Sequence, residues 1–174
     1  PVVISCTGAT ASRNYASGLT EAYYRKLPIL AITSTQPVSR VGHHFAQVID
    51  RSIIQNDVAN VSVTLPIIKD KDDIWDCENK VNEAILALSR NGGGPTHINL
   101  QTNSLSTYTT TELPSVKVLR RYTGSMDLPK MPIGKIAVFV GAHRKWLQEE
   151  VETLEAFCES NGAIVLCDHT SAYY

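Results

Sequence analysis

The sequence predicts an α/β protein: an open parallel sheet flanked by helices, followed by a Rossmann-like βαβ unit. Three observations carry that expectation. Short β-branched, apolar runs alternate with stretches of helical periodicity. One of those runs, Ile29-Leu30-Ala31-Ile32-Thr33, is apolar almost throughout, as strands covered on both faces are. Pro28, Asn91-Gly92-Gly93-Gly94-Pro95 and Asn161-Gly162 separate the runs, and these are residues that end helices or make turns.

The elements follow in order. Val2-Val3-Ile4-Ser5 reads as a strand at the very start of the chain, and Cys6-Thr7-Gly8-Ala9-Thr10-Ala11-Ser12 as a turn of small residues. A helix is expected over 12–26, with Tyr15, Leu19, Ala22 and Tyr23 on its apolar stripe and Arg25 and Lys26 suiting its C-terminal dipole. The second strand begins at Ile29. A polar loop covers 34–42, and a short helix is expected over 45–56. Residues 61–65 read as a third, edge-like strand. A long helix is expected over 71–90, with Ile74, Val81, Ile85 and Leu88 on one face and Asp70, Asp72 and Asp73 favouring its N-terminus. Thr96-His97-Ile98-Asn99-Leu100 is the next strand. Residues 101–132 hold a Ser/Thr run and three prolines and lack periodicity, which marks an interdomain linker. A strand over 135–140, a helix over 144–160 with Leu147, Val151, Leu154 and Cys158 on one face, and a strand over 163–167 then make the βαβ unit. One such unit cannot cover its own sheet, so the chain is expected to be a piece of a larger protein. The expected division is 1–103, a linker over 104–132, and 133–174.

Composition narrows the function classes. Of 174 residues, 43% are hydrophobic and 19% charged, enough apolar material for a core. The formal net charge of −1 favours neither nucleic acid nor an anionic membrane, and no apolar run approaches the ~20 residues that span a bilayer. Cys6, Cys77, Cys158 and Cys167 lack metal-finger or redox spacing and read as free thiols of a reducing, cytoplasmic compartment. No metal-ligand set is expected. The sequon at Asn60-Val61-Ser62 leads into a strand and carries no weight.

Three places could carry chemistry. The turn around Thr7 and Gly8 follows a strand and enters a helix, the edge where open α/β sheets bind ligands. A turn kept small by close strand–helix packing is slightly favoured over a ligand site there. Arg40-Val41-Gly42-His43-His44-Phe45-Ala46-Gln47 leaves a loop after the second strand, at the same edge. Imidazoles at His43 and His44 can move protons near neutral pH, and the amide of Gln47 can orient a carbonyl or carboxylate. Neighbouring loop histidines are more often simply solvated. Asp168-His169-Thr170-Ser171 suggests parts of a hydrolase triad, but no nucleophile turn accompanies it and it reads as loop polarity.

The order of these pieces resembles the thiamine-diphosphate-dependent enzymes. The resemblance rests on the Thr7-Gly8-Ala9-Thr10 turn, Gly18-Leu19-Thr20-Glu21-Ala22-Tyr23, the Leu27-to-Thr33 strand, the 42–47 loop with its glutamine, and Gly93-Gly94-Pro95-Thr96-His97-Ile98-Asn99-Leu100. Acetolactate synthase-like enzymes and the menaquinone-pathway carboligases of 2-oxoglutarate and isochorismate are the nearest in pattern. The resemblance implies an incomplete thiamine-diphosphate-binding fold: a partial pyrimidine-binding domain over 1–103 and the start of a middle domain over 133–174. It implies a parent that decarboxylates a small-molecule 2-oxo acid and transfers the resulting carbanion, with thiamine diphosphate and Mg²⁺, as a homodimer or homotetramer. Thr7 and Gly8 would lie near the pyrimidine ring. Gln47 would face cofactor or substrate, and His43 and His44 would stand where related decarboxylases have paired histidines. The family's glutamate would precede Pro1 and its metal-binding domain would follow Tyr174. The chain alone is therefore expected to be inactive and to hold little or no cofactor. Cys6-Thr7 departs from the family's usual Gly-Pro or Gly-Thr. Two rival readings are a non-catalytic flavodoxin-like binding module and a regulatory paralogue that lost catalysis.

Overall fold

The structure is a computed structural model and describes residues 1–51, 53–102, 109–124, 126–131 and 133–173. The chain divides into two compact units, 1–121 and 122–174. The Ser/Thr run expected to open the linker lies largely outside the described residues.

The first unit is an open, all-parallel sheet of four strands with helices, as the sequence predicts. β1 is Val2–Cys6, β2 Ile29–Thr35, β3 Val61–Leu65 and β4 Thr96–Gln101. Their order is β1-β2-β4-β3, so β1 and β3 are the edges and β2 and β4 the centre. Ala31 pairs with His97 and Thr33 with Asn99 across β2 and β4, while Ser62 and Thr64 of β3 pair with the same two β4 residues.

Side chains alternate across a sheet, so each central strand feeds two cores. On one face Leu30, Val63, Leu65 and Ile98 pack with Ala84 of α2 (Lys71–Ala87). On the other, Ala31 packs with Leu19 of α1 (Ala16–Tyr24) and with Val58, with Ile4, Tyr15 and Ile54 around them. The expected helix over 12–26 is shorter than its pattern. Residues 9–15 wind as a 3-10 turn and only then pass into α1.

α2 begins where its acidic run predicts. The Asp70 carboxylate accepts from the Asp73 amide at 2.9 Å, and the Asp73 carboxylate accepts from the Lys69 amide at 2.9 Å. Its buried face differs from the expected stripe. Cys77, Val81, Ala84 and Leu88 meet the sheet, whereas Ile74 and Ile85 are 45% and 50% exposed. Small Ala84 and Ala87 allow the helix to lie close to β3 and β4, and a bulkier isoleucine line would hold it off. The same rotation buries Asn82. Its amide donates to the Lys117 carbonyl and its carbonyl accepts from the Leu119 amide, both at 2.8 Å. Part of the segment expected as linker is thereby fastened along α2, joined by an Arg121 guanidinium bond to the Leu86 carbonyl.

The expected helix over 45–56 does not form among the described residues. His44 and Gln47 have φ of 58° and 56°, left-handed values that break a right-handed helix, and Arg51 turns into the interior.

The second unit holds β5 (Ala137–Val140), α3 (Gln148–Asn161) and β6 (Ile164–Cys167), with β5 and β6 parallel. This is the expected βαβ unit. Phe139, Ile164 and Leu166 of its two strands are exposed. Glu150 fixes the start of α3. Its carboxylate accepts from the Leu147 amide at 2.8 Å and from Arg144 at 2.6 Å, and both bonds hold it below the usual carboxylate range.

The Gly-Gly-Pro entry to β4 is required by close packing. Gly93 has φ 92°, and a Cβ there would lie 3.0 Å from the Leu88 carbonyl oxygen and 3.1 Å from that of Lys26. Gly94 has φ 150°, and its Cβ would collide with the Asn60 amide. Asn60 in turn accepts no substitute easily: its side chain donates to the Gly93 carbonyl at 3.2 Å and its amide to the Pro95 carbonyl at 2.8 Å. Gly94→Ala is expected to lower stability by about 2–4 kcal/mol, from forced backbone and a displaced Asn60. Urea denaturation of the two proteins measures the difference.

Candidate functional site

Parallel strands bring their C-terminal ends to one edge, and here β1, β2 and β4 deliver polar residues to it. Cys6 ends β1, and Thr7 and Gly8 follow it. Ser34 and Thr35 end β2, and Asn99 lies near the end of β4. The backbones converge at Gly8. A Cβ at Gly8 would stand 3.2 Å from the Ser34 carbonyl oxygen and 3.6 Å from that of Gln47. Gly8 has an extended backbone, φ −64°, so close approach rather than an unusual dihedral asks for glycine there. Two sequence-predicted positions, Gly8 and Gln47, are therefore brought together.

The other candidates stand apart from hydrogen-bonded networks. Thr7, His43, His44 and Gln47 are exposed. Neither imidazole makes a side-chain hydrogen bond among the described residues; the His43 amide donates to the Arg40 carbonyl at 3.3 Å. The loop carrying them is held from below. Arg40 donates to the Gln36 side chain at 2.6 Å and its guanidinium lies 5.1 Å from the Phe45 ring centre, within cation–π range. Asp168 to Ser171 forms a local turn. The Asp168 carboxylate accepts from the Thr170 amide and hydroxyl, both at 2.7 Å, which keeps it low, and the Ser171 hydroxyl donates to the Asp168 carbonyl. That is loop polarity, as read from sequence.

Beneath the edge lies a buried polar row that the sequence reading did not single out. Alternation sends Thr33, His97 and Asn99 to the α1 face of the sheet, beside Ser62 and Thr64. His97 is 5% exposed, with Nε2 2.8 Å from the Thr33 hydroxyl and Nδ1 2.8 Å from the Ser62 hydroxyl. The Thr33 hydroxyl donates to Asn99 Oδ1 at 3.4 Å, so it accepts from His97 Nε2–H, and Nδ1 accepts from Ser62. This directional assignment satisfies a neutral imidazole. Burial, and secondarily the positive charge of Arg51, push the His97 pKa from 6.5 down to about 4.

Arg51 is the second residue missed. It is 5% exposed, and its guanidinium donates to the Ser12 hydroxyl at 2.7 Å and to the Ser34 carbonyl. Burial lowers its pKa. Its Nε has no hydrogen-bond partner. Its local sequence reads as part of a surface helix, and only the approach of Ser34 from β2 draws it inward. A cavity of about 240 Å³ on this side is lined by Gln36, Asp50, Arg51, Thr64 and Asn99, with apolar Val38, Val41 and Ile49. Among the described residues no group of three or more His, Cys, Asp or Glu could hold a metal ion, and no helix is long and apolar enough to cross a membrane.

The neutral state of His97 gives the fold an acid limit. Below pH 6.5 the unfolded chain binds a proton that the folded chain refuses until about pH 4. Stability from this residue is therefore expected to fall as pH drops from 6.5 to about 4 and then level off, by about 3 kcal/mol in total. Denaturant titrations across that range should show the slope in the wild type, and His97→Gln should flatten it.

No family model matches the sequence. It is 34% identical over 125 residues to a 2-succinyl-5-enolpyruvyl-6-hydroxy-3-cyclohexene-1-carboxylate synthase of Bacteroides thetaiotaomicron, covering 71% of this chain and 22% of that enzyme. Synthases of the same name from Bacteroides fragilis and Phocaeicola vulgatus are 34% and 31% identical over 125 residues, with the same shares covered. The chain thus spans about one fifth of the length of the curated relatives it matches. Over nearly three quarters of its own length, this α/β chain is similar to a stretch of the 2-succinyl-5-enolpyruvyl-6-hydroxy-3-cyclohexene-1-carboxylate synthases.

Proposed function

We propose that this chain is part of a thiamine-diphosphate-dependent enzyme that decarboxylates a 2-oxo acid and joins the product to an acceptor, and that it contributes the pyrimidine-facing edge of the active site. One observation carries the reading. The Cys6-Thr7-Gly8 turn, the end of β2 and the Gln47 loop converge at the C-terminal edge of a parallel sheet. The similarity to the synthases supports the same enzyme class.

The residues present suit a flat polar ring. Absence of a side chain at Gly8 keeps backbone accessible beside Thr7, whose hydroxyl is exposed and can donate or accept. The Gln47 amide is exposed at the same edge and can orient a carboxylate or carbonyl oxygen. His43 and His44, on the adjoining loop, can take or give a proton near neutral pH. Thiamine diphosphate with Mg²⁺, when bound, would supply the electron sink that decarboxylation needs. The chain's own part is to hold the ring edge, orient the acid and move protons, so the diphosphate and metal would be held by other parts of the parent, which would act as a homodimer or homotetramer.

Two measurements test this. In the full-length parent, Gln47→Ala should slow turnover by at least about tenfold, the cost of one lost hydrogen bond to a charged group, with an unchanged melting temperature. Equal turnover would remove Gln47 from the site. Titration calorimetry of the 174-residue chain with thiamine diphosphate and Mg²⁺ should show no binding in the micromolar range or tighter. Micromolar binding would mean that this edge suffices to hold the cofactor.

A further inference from the structure

Arg51 presents a positive charge, without an ion pair among the described residues, to a small partly open cavity. As a whole residue Arg51 is 5% exposed, and the described partners of its guanidinium, the Ser12 hydroxyl and the Ser34 carbonyl, are neutral. Among the described residues the ion pairs are Arg25–Glu21, Lys80–Asp76 and Arg144–Glu150, none of which involves Arg51. A guanidinium has five N–H donors, and Nε of Arg51 has no hydrogen-bond partner among the described residues. A buried cation left in this state costs several kcal/mol unless a counter-charge meets it.

The space beside it is suited to supply one. A cavity of about 40 Å³ lies between the α1 face of the sheet and the helix, and Arg51 lines it. Arg13 and His97 also line it, and no carboxylate does. The remaining wall is largely apolar, including Ala16, Leu19 and Val58. Roughly three water-sized positions fit, which is too little for a diphosphate or a drug-sized ligand. Low polarity in the wall strengthens any charge–charge attraction inside. Water could satisfy Nε, but it would leave the charge of Arg51 unbalanced.

We propose that this cavity is a binding site for one small monovalent anion, a halide or a formate-sized carboxylate, held by the Arg51 guanidinium. The anion would accept from Nε–H and shield His97 from the positive field of Arg51. The site is independent of the cofactor edge proposed above, and either reading can fail without the other.

Chloride-35 NMR of the 174-residue chain tests it. Added protein should broaden the chloride resonance, and sodium formate at constant ionic strength should reverse the broadening, whereas bulky gluconate should not. Reversal by formate identifies a site open to both sources; broadening that formate leaves intact identifies a halide site. Arg51→Gln should weaken chloride binding by about tenfold or more, the loss of a charge-assisted contact. Ala16→Leu keeps Arg51 but fills the cavity, and it should abolish the broadening as well, which preserves the test if Arg51→Gln does not fold. No broadening in the wild type would mean a cavity with water only and would overturn the proposal. So would reversal by gluconate, or broadening that survives Ala16→Leu, because the anion would then lie on the open surface.

Discussion

The strict alternation of side chains along β2 and β4 governs the rest of the first unit. One face of these strands is largely apolar and meets α2 through Leu30 and Ile98, beside Val63 of β3. The opposite face carries Thr33, His97 and Asn99 beside the apolar cluster of Ala31, Leu19 and Val58. Those polar groups are buried, so each has to find a partner within the sheet, and the parallel register supplies it. His97 stands beside Ala31 of β2 and Ser62 of β3, and its two nitrogens reach Thr33 and Ser62. A slip of one residue in either pairing would turn that neighbour's side chains to the other face and cost the imidazole one of its two contacts. The polar row therefore fixes register more firmly than apolar packing alone could.

That row also sets what the ligand edge can be. Ser34 follows Thr33 directly, and its carbonyl receives Arg51 and stands within contact range of Gly8. The interior hydrogen bonds, the buried guanidinium and the Gly8 turn are thus linked through one residue of β2. A loop that would otherwise wander over the surface, 42–51, is anchored at its far end by Arg51 and near its middle by the approach of Gln47 to Gly8. Arg40 and Phe45 brace the segment before it. Rigid strand ends with a braced loop beside them form a scaffold on which exposed Thr7 and Gln47 can be held in fixed positions.

Much of this was legible in the residues. The apolar runs gave β2 and β6, the acidic run gave the start of α2, and the Gly-Gly-Pro sequence marked the entry to β4. The cluster of small residues after β1 pointed to the edge that the strands do form, and Gly8 and Gln47 do meet there. The helix expected over 45–56 failed because local pattern cannot register a residue drawn away by a distant carbonyl. Arg51 looks like any exposed arginine until Ser34 and Ser12 are placed beside it. The face of α2 was misjudged for a related reason. Hydrophobicity favoured Ile74 and Ile85, but close approach to the sheet favoured Ala84 and Ala87, and Asn82 found its partners in a segment 35 residues away.

What the sequence determined alone was the strands, their parallel class and most of the helices, because periodicity, turn residues and strand composition are local properties. What only the tertiary structure decided was which polar groups are buried together: His97 with Thr33 and Ser62, and Arg51 with Ser12 and Ser34. Burial and charge balance depend on residues from five separated stretches of chain. No window of residues contains them until the sheet has formed and its two faces have been assigned.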